Sequence, residues 1–274
     1  MSDTGAPAPR RVAVVGAGLM GSGIAAVLVK AGYAVDLYDT APEALARARA
    51  RAEKHAGELA AALTTHDDLE AAVRAADLVI EAVPEVLELK REVFARVDAA
   101  APDHAVLATN TSELSVTAIA AATKRPERVV GMHWFNPPER MRLVEMVRGV
   151  RSSGAALAAA TAVAEACGRT VVTVQDRQGF VTTRVVAAVL LEGARLLEEG
   201  VASREDIDTA VKLGLNHPMG PLELADYIGL DTVLLIADAM AEAYGDRFRA
   251  PQTLRKLVEA GRLGRKSGGG FYDA

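Results

Sequence analysis

A β-branched run, Arg11 to Val15, passes directly into GAGLMG and then into an apolar stretch, SGIAAVLVKAG. Strand, glycine turn and helix in immediate succession leave few folds open. Gly16, Gly18 and Gly21 keep the spacing G-x-G-x-x-G, with Leu19 and Met20 at the variable places. The first glycine permits the tight turn, the second lets a phosphate approach the backbone, and the third lets helix pack close on strand. Unpaired N–H groups at the helix start then face that phosphate with a partial positive charge. A second strand, Tyr33 to Tyr38, ends at Asp39. A carboxylate there accepts hydrogen bonds from a ribose and repels a 2′-phosphate. No arginine follows it, so the expected dinucleotide is NAD rather than NADP. Asp36 is the rival acid, placed by alternation on a face of the strand instead of at its end.

The same plan recurs downstream. ADLVIEAVPE (76–85) reads as a third, buried strand turning at Pro84. Glu85 lies at its C-terminal edge and Lys90 in the helix LELKREVFARVDAA. Such edges are where ligands bind in open parallel sheets. HAVLATNTSEL is a further strand with Asn110, Thr111 and Ser112 at its end. Two readings of Ser112 stand, a helix N-cap or a hydroxyl facing a ligand cleft. Residues 40–63 read as one charged helix with Arg47, Arg51 and Lys54 on one face, either a solvated face or a contact for phosphates of a large anionic substrate. RVVGMHWFNPPERMRLVEM (128–146) is then a strand, a turn at the double proline and a second strand, carrying His133 and Glu145 on its two arms. A histidine oriented by a carboxylate is a simple general base near neutral pH. The alternative is a satisfied core histidine beside a surface glutamate.

The chain has 274 residues, half of them apolar, and a formal net charge of −5. That length suits two domains. The charge and the lack of a basic patch argue against nucleic acid as a partner. No apolar run is long enough to span a membrane, and MSDTGAPAPRR lacks the apolar core of a secretory signal. It is read as an unstructured lead-in to a cytoplasmic protein. Cys167 stands alone in an Ala-rich helix, so it forms no intrachain disulfide and is read as a small buried apolar residue; no Cys/His cluster has metal-ligand spacing. TVVTVQD is the last strand, and helical sequence follows. The fold class expected is α/β, a doubly wound sheet domain over 1–177 followed by an all-helical domain over 178–274. In the second domain a long helix from Phe180 to Glu199 is apolar around most of its girth, and Ser203 to Asp206 resembles a capping box. These helices are too apolar to stand alone and should cover the first domain or a second copy of themselves.

Taken together, GAGLMGSGIA, VIEAVPE, NTSEL, MHWFNPPERMRLVEMV, HPMGPLELADYIGLD and GRKSGGGFYD, in order from Arg11 to Asp273, resemble the NAD-dependent 3-hydroxyacyl-CoA dehydrogenases, the bacterial 3-hydroxybutyryl-CoA type above all. The resemblance implies a Rossmann-type domain, a homodimer formed through the helical domain, and hydride transfer between NAD and C3 of a short-chain (S)-3-hydroxyacyl thioester. His133 corresponds to the catalytic base, Glu145 to its orienting partner, and Ser112 to a serine touching substrate and nicotinamide. Asp39, Glu85, Lys90, Asn136 and Lys266 correspond to cofactor contacts, and the glycine-rich tail is expected to fold back toward the cofactor. Two departures stand out. GFVTTR carries Thr183 where the family has asparagine, a substrate-contacting place. Losing that contact is expected to cost about 1–3 kcal/mol, roughly 10- to 100-fold in rate. The helical segment after Asp39 is short, so no basic residue is assigned to the CoA phosphates. Rival readings keep the chemistry on a carrier-protein thioester, a dicarboxylic acyl chain or a free hydroxy acid, or make the chain a non-catalytic NAD binder. A lysine-dependent hydroxyacid dehydrogenase is disfavoured, because Thr183 stands where its lysine would follow Gly179.

Overall fold

The computed structural model describes residues 9–273; of the lead-in expected over residues 1–11, residues 1–8 lie outside the described residues, while the N–H groups of Arg10 and Arg11 donate to Asp77 and Arg11 already opens the first strand. The chain divides into two units, one ending at Phe180 and one starting at Val181. Among the described residues, the first unit carries one eight-stranded sheet: β1 (Arg11–Val15), β2 (Ala34–Tyr38), β3 (Leu63–His66), β4 (Leu78–Glu81), β5 (Val106–Thr109), β6 (Val129–Trp134), β7 (Leu143–Arg148) and β8 (Thr170–Gln175). Their spatial order is β3-β2-β1-β4-β5-β6-β7-β8, and every pairing is parallel except β6 with β7. The order changes direction between β1 and β4, which opens a ligand crevice at their C-terminal ends.

Alternation along β1 divides the core. Val12 and Val14 pack under α1 (Leu19–Lys30), α2 (Pro42–Ala56) and α6 (Gly154–Ala166). Ala13 and Val15 face the other way, toward α3 (Leu69–Val73), α4 (Leu87–Ala100) and α5 (Val116–Ala120). Each fully buried valine of this kind contributes roughly 1.5–3 kcal/mol. The segment read as one helix over 40–63 is shorter: α2 stops at Ala56, Gly57 turns left-handed at φ 59°, and a 3₁₀ turn leads into β3. LTTH is short and polar at all but Leu63, suited to the sheet edge where it lies. The strand in 76–85 is therefore the fourth. Cys167 is half-buried, and burial pushes its thiol up to about 12, an inert state.

 The second unit is helical: α7 (Thr182–Glu198), α8 (Arg204–Gly214), α9 (Pro221–Ile228), α10 (Leu230–Tyr244) and α11 (Gln252–Glu259) close on one core that includes Leu190, Leu191, Leu222, Leu230 and Leu254. α7 starts two residues later than Phe180 and buries one face only, through Ala187, Leu190, Leu191 and Ala194, while Val185 stays exposed. Its apolar girth is thus an amphipathic stripe with exposed valine beside it. Ser203 accepts from the Asp206 N–H at the start of α8, as the capping pattern predicts. The glycine-rich tail is ordered: the N–H groups of Phe271 and Tyr272 donate to Asp226, and the Tyr272 hydroxyl donates to Asp208. No helix among the described residues is long and apolar enough to cross a membrane.

Asp36 is 3% exposed on β2 and is met by Arg11 Nε at 2.6 Å and His66 Nε2 at 2.8 Å. Burial works against its carboxylate, but the hydrogen bonds and charges of Arg11 and His66 outweigh that and hold its pKa below the ordinary 3.8. A depressed folded-state pKa stabilises fully above the unfolded value and loses that contribution as pH falls through the folded value. Asp36→Ala is therefore expected to cost about 1–3 kcal/mol near neutral pH and progressively less below a pH of about 4. Urea unfolding of both proteins across that range checks it; a loss that does not shrink in acid would contradict the assignment.

Candidate active site

The cofactor-binding turn is built as its glycines require. Gly16 has φ 103°, and a Cβ on it would lie 2.8 Å from the Ala82 carbonyl oxygen. A Cβ on Gly21 would lie 1.8 Å from the Gly16 oxygen, whereas one on Gly18 would meet nothing within 4 Å. Two glycines thus serve the fold, and the third leaves an open approach. Gly18 is the N-cap of α1 and makes no side-chain cap; the first turn, with exposed Leu19 and half-buried Met20, holds no acidic residue. Its N–H groups suit an anionic diphosphate. Asp39, beyond the end of β2, accepts from the Ala17 N–H at 2.6 Å and the Ala41 N–H at 2.9 Å. Each carboxylate oxygen keeps a second lone pair for a ribose hydroxyl. The residues of this turn fit NAD.

β6 and β7 meet as an antiparallel ladder in which His133 pairs directly with Glu145. His133 Nδ1 lies 2.9 Å from Glu145 Oε2, with His133 6% and Glu145 0% exposed. An ionised carboxylate only accepts, so this contact assigns the proton to Nδ1 and leaves Nε2 as the basic nitrogen. The imidazole is packed between Phe135, ring centroid 4.4 Å away, and Phe180, 5.9 Å away. Phe180 holds a left-handed backbone at φ 46°, a conformation costly for an aromatic residue. In the sequence Phe180 reads only as the start of a helix, and no local signal marks its place beside His133.

A cavity of about 330 Å³ lies over this pair, lined by Met20, Glu85, Asn110, Ser112, His133 and Asn136 among others. Ser112 is not a helix N-cap, since Ser115 caps α5 by accepting from the Ala118 N–H. Glu85 Oε1 instead accepts from Thr111 Oγ1 at 2.5 Å, the Ser112 N–H at 2.8 Å and the Ser112 hydroxyl at 3.3 Å. Behind it Lys90, 1% exposed, donates to Glu81 Oε1 at 2.7 Å and the Val83 carbonyl at 3.3 Å, and pairs with Glu85 at 3.3 Å. Burial pushes the Glu81 carboxyl up despite Lys90. Partial burial also works against ionised Glu85, but the charge of Lys90 and the donors of Thr111 and Ser112 prevail and hold its pKa below the ordinary range. Glu81 has no mark of its own in the sequence, because it reads as one residue of an apolar strand. Asn110 Oδ1 accepts from the Trp134 N–H at 2.9 Å and so ties the Ser112 loop to β6.

Thr183 and Lys266 belong to the second unit. Thr183 is half-buried in the first turn of α7, and Lys266 pairs with Asp231 at 2.6 Å. A larger cavity in that unit, about 500 Å³, is bordered by Asp208 and Asp226. Both acids are occupied with holding backbone: Asp208 accepts from the Leu222 and Glu223 N–H groups and Asp226 from those of the tail. Among the described residues no group of three or more His, Cys, Asp or Glu side chains is arranged to hold a metal.

Lys90→Met would leave Glu81 and Glu85 without their shared counter-ion. It is expected to destabilise the protein by about 3–5 kcal/mol, with partial recovery when Glu81→Gln is added. Guanidinium unfolding of the single and double variants tests the pairing, and a loss below about 1 kcal/mol would count against it.

The family model for the NAD binding domain of 3-hydroxyacyl-CoA dehydrogenase matches residues 11–177, and the model for the C-terminal domain of the same family matches residues 179–274. The chain is 44% identical to a probable 3-hydroxybutyryl-CoA dehydrogenase of Bacillus subtilis, over 96% of this chain and 97% of that protein. It is 43% identical to a 3-hydroxybutyryl-CoA dehydrogenase of Mycobacterium tuberculosis, over 96% and 98%. The crystal structure of (S)-3-hydroxybutyryl-CoA dehydrogenase from Ralstonia eutropha is similar at a TM-score of 0.93 and 36% identity, covering 97% of this chain and 99% of that one. Both domains and near-complete coverage agree, and the chain belongs to the 3-hydroxyacyl-CoA dehydrogenase family.

Proposed function

We propose that the protein interconverts short-chain (S)-3-hydroxyacyl-CoA and 3-oxoacyl-CoA, with His133 as general base oriented by Glu145. The observation that carries this reading is the buried His133–Glu145 contact of 2.9 Å beside a cavity that Ser112 and Asn136 also line. NAD, when bound, takes up or returns the hydride at C3 of the acyl chain. Nε2 of His133 removes the hydroxyl proton in the oxidative direction and returns it to the ketone oxygen in the reductive one. Glu145 keeps Nδ1 protonated, aims the ring and stabilises the imidazolium that forms. Ser112, whose loop Glu85 holds through the Ser112 N–H, would turn its hydroxyl proton from Glu85 to the substrate oxygen, beside the nicotinamide. The turn over residues 16–21, with Leu19 and Met20, would receive the diphosphate at the opening that Gly18 leaves, and Asp39 the adenosine ribose; Glu85 and Asn136 would continue the cofactor contacts, while Lys90, buried behind Glu85, acts through that carboxylate. Short acyl-CoA as substrate is supported by the names of the relatives at 43–44% identity. We also infer a cytoplasmic homodimer with residues 178–274 as the substrate and dimerisation domain. Exposed Val185, Leu213, Leu215, Tyr227 and Leu235 on that segment support a second copy as their cover.

Oxidation of NADH with acetoacetyl-CoA tests the activity. His133→Ala is expected to lower kcat by about 10²-fold or more while leaving NADH affinity nearly unchanged; near-normal turnover would sink the mechanism. Asp39→Ala should weaken NAD binding and relax discrimination against NADP, measured by titration with both cofactors. For Thr183, robust wild-type turnover is the expected result. Absence of turnover, restored in Thr183→Asn, would instead assign the natural substrate to another acyl group or carrier.

A further inference from the structure

Arg51 joins three segments that are far apart in sequence. On α2, its guanidinium donates through Nε to Glu139 Oε1 at 2.5 Å and through Nη2 to Glu139 Oε2 at 2.8 Å. Through Nη1 it donates to the Leu19 carbonyl at 2.6 Å and to Ser22 Oγ at 2.9 Å. Ser22 in turn donates to the Gly18 carbonyl at 2.7 Å. One end of this chain of bonds is therefore the open glycine of the cofactor-binding turn. The other end is the turn after β6, whose Phe135 and Asn136 line the cavity with His133. α1 makes room for it at Gly23, where a Cβ would lie 2.7 Å from Arg51 Nη2 and 3.0 Å from Pro138 Cδ.

We infer that Arg51, held by Glu139, is a positioning residue for the reaction: it fixes the spacing between the cofactor-binding turn and the cavity wall formed by Phe135 and Asn136. This rests on the NAD and His133 assignments above. A planar fork that makes four bonds at once can fix that spacing; a lysine ammonium supplies the same charge without the fork. The charge has its own consequence. Arg51 and Glu139 neutralise each other beside the N-terminal turn of α1, so removing the arginine leaves a carboxylate near the diphosphate site, and neutralising the glutamate leaves a cation there. The two changes must therefore move cofactor affinity in opposite directions, by modest amounts at this range and less at high salt.

The test compares Arg51→Met, Arg51→Lys and Glu139→Gln with the wild type. It reads the melting temperature of the cofactor-free protein, the NADH Kd by fluorescence titration at low and high salt, and kcat with acetoacetyl-CoA. Arg51→Met is expected to weaken NADH binding by about three- to tenfold and to lower kcat by about tenfold. Arg51→Lys should recover most of the NADH affinity but not kcat. Glu139→Gln, which keeps one acceptor for the fork, should bind NADH at least as tightly as wild type. Lowered melting temperatures with wild-type Kd and kcat would reduce Arg51 to a structural brace and overturn the inference. So would a loss of NADH affinity in both Arg51→Met and Glu139→Gln. If Arg51→Met does not fold, the contrast between Arg51→Lys and Glu139→Gln still decides. A wild type inactive on acetoacetyl-CoA would fail the proposed substrate alone, because the NADH titrations need no acyl substrate.

Discussion

A carboxylate with no exposed surface is costly unless a partner meets it, and Glu145 receives its partner from strand pairing. The single antiparallel pairing in an otherwise parallel sheet lets a short turn bring the two residues opposite each other. Their register is locked from the far face. Met132 pairs with Met146 and Trp134 with Val144, and all four are buried under the helices on that side. Slipping one strand by a single residue would turn Glu145 into that apolar core and bring a neighbour opposite His133. The geometry of the His133–Glu145 pair is thus maintained by hydrophobic burial on the face it does not occupy.

The serine loop is held by a different means. Glu81, Lys90 and Glu85 place two carboxylates around one ammonium at the ends of β4 and the start of α4, and Glu85 spends its Oε1 on Thr111 and Ser112. Asn110 adds a bond to the backbone of β6. The loop of Ser112 and the strand of His133 are consequently tied together through Asn110 and Trp134. A group that reaches Glu85 from the cavity also touches the anchor of Ser112.

The parts of this arrangement legible in the sequence are those whose signal is local. The glycine turn, the acid at the end of β2, the strand alternation and the two arms bearing His133 and Glu145 all announce themselves within a few residues. β3 was not legible, because four residues at a sheet edge, polar at all but Leu63, carry no periodicity to separate them from the preceding helix. Glu81 and Arg51 were not legible as partners for a different reason. Their meaning lies in Lys90, Thr109 and Glu139, and only the folded chain brings those together. Lys266 shows the same limit: it and Asp231 each lie in a conspicuous motif, yet nothing in either motif says that the two side chains pair.

Burial of polar groups alone does not single out the active site. Asp208 and Asp226 are as buried as His133 and border a larger cavity, yet their oxygens are taken up by N–H groups and the Tyr272 hydroxyl, which order α9 and the tail. Such acids contribute by satisfying backbone donors that would otherwise be buried without acceptors. His133 differs in how its two ring nitrogens are used. One is committed to Glu145, and the same ring borders a cavity that a serine and an asparagine also line. A buried polar side chain becomes chemically useful when the fold satisfies part of it and leaves the rest facing a space a substrate can enter.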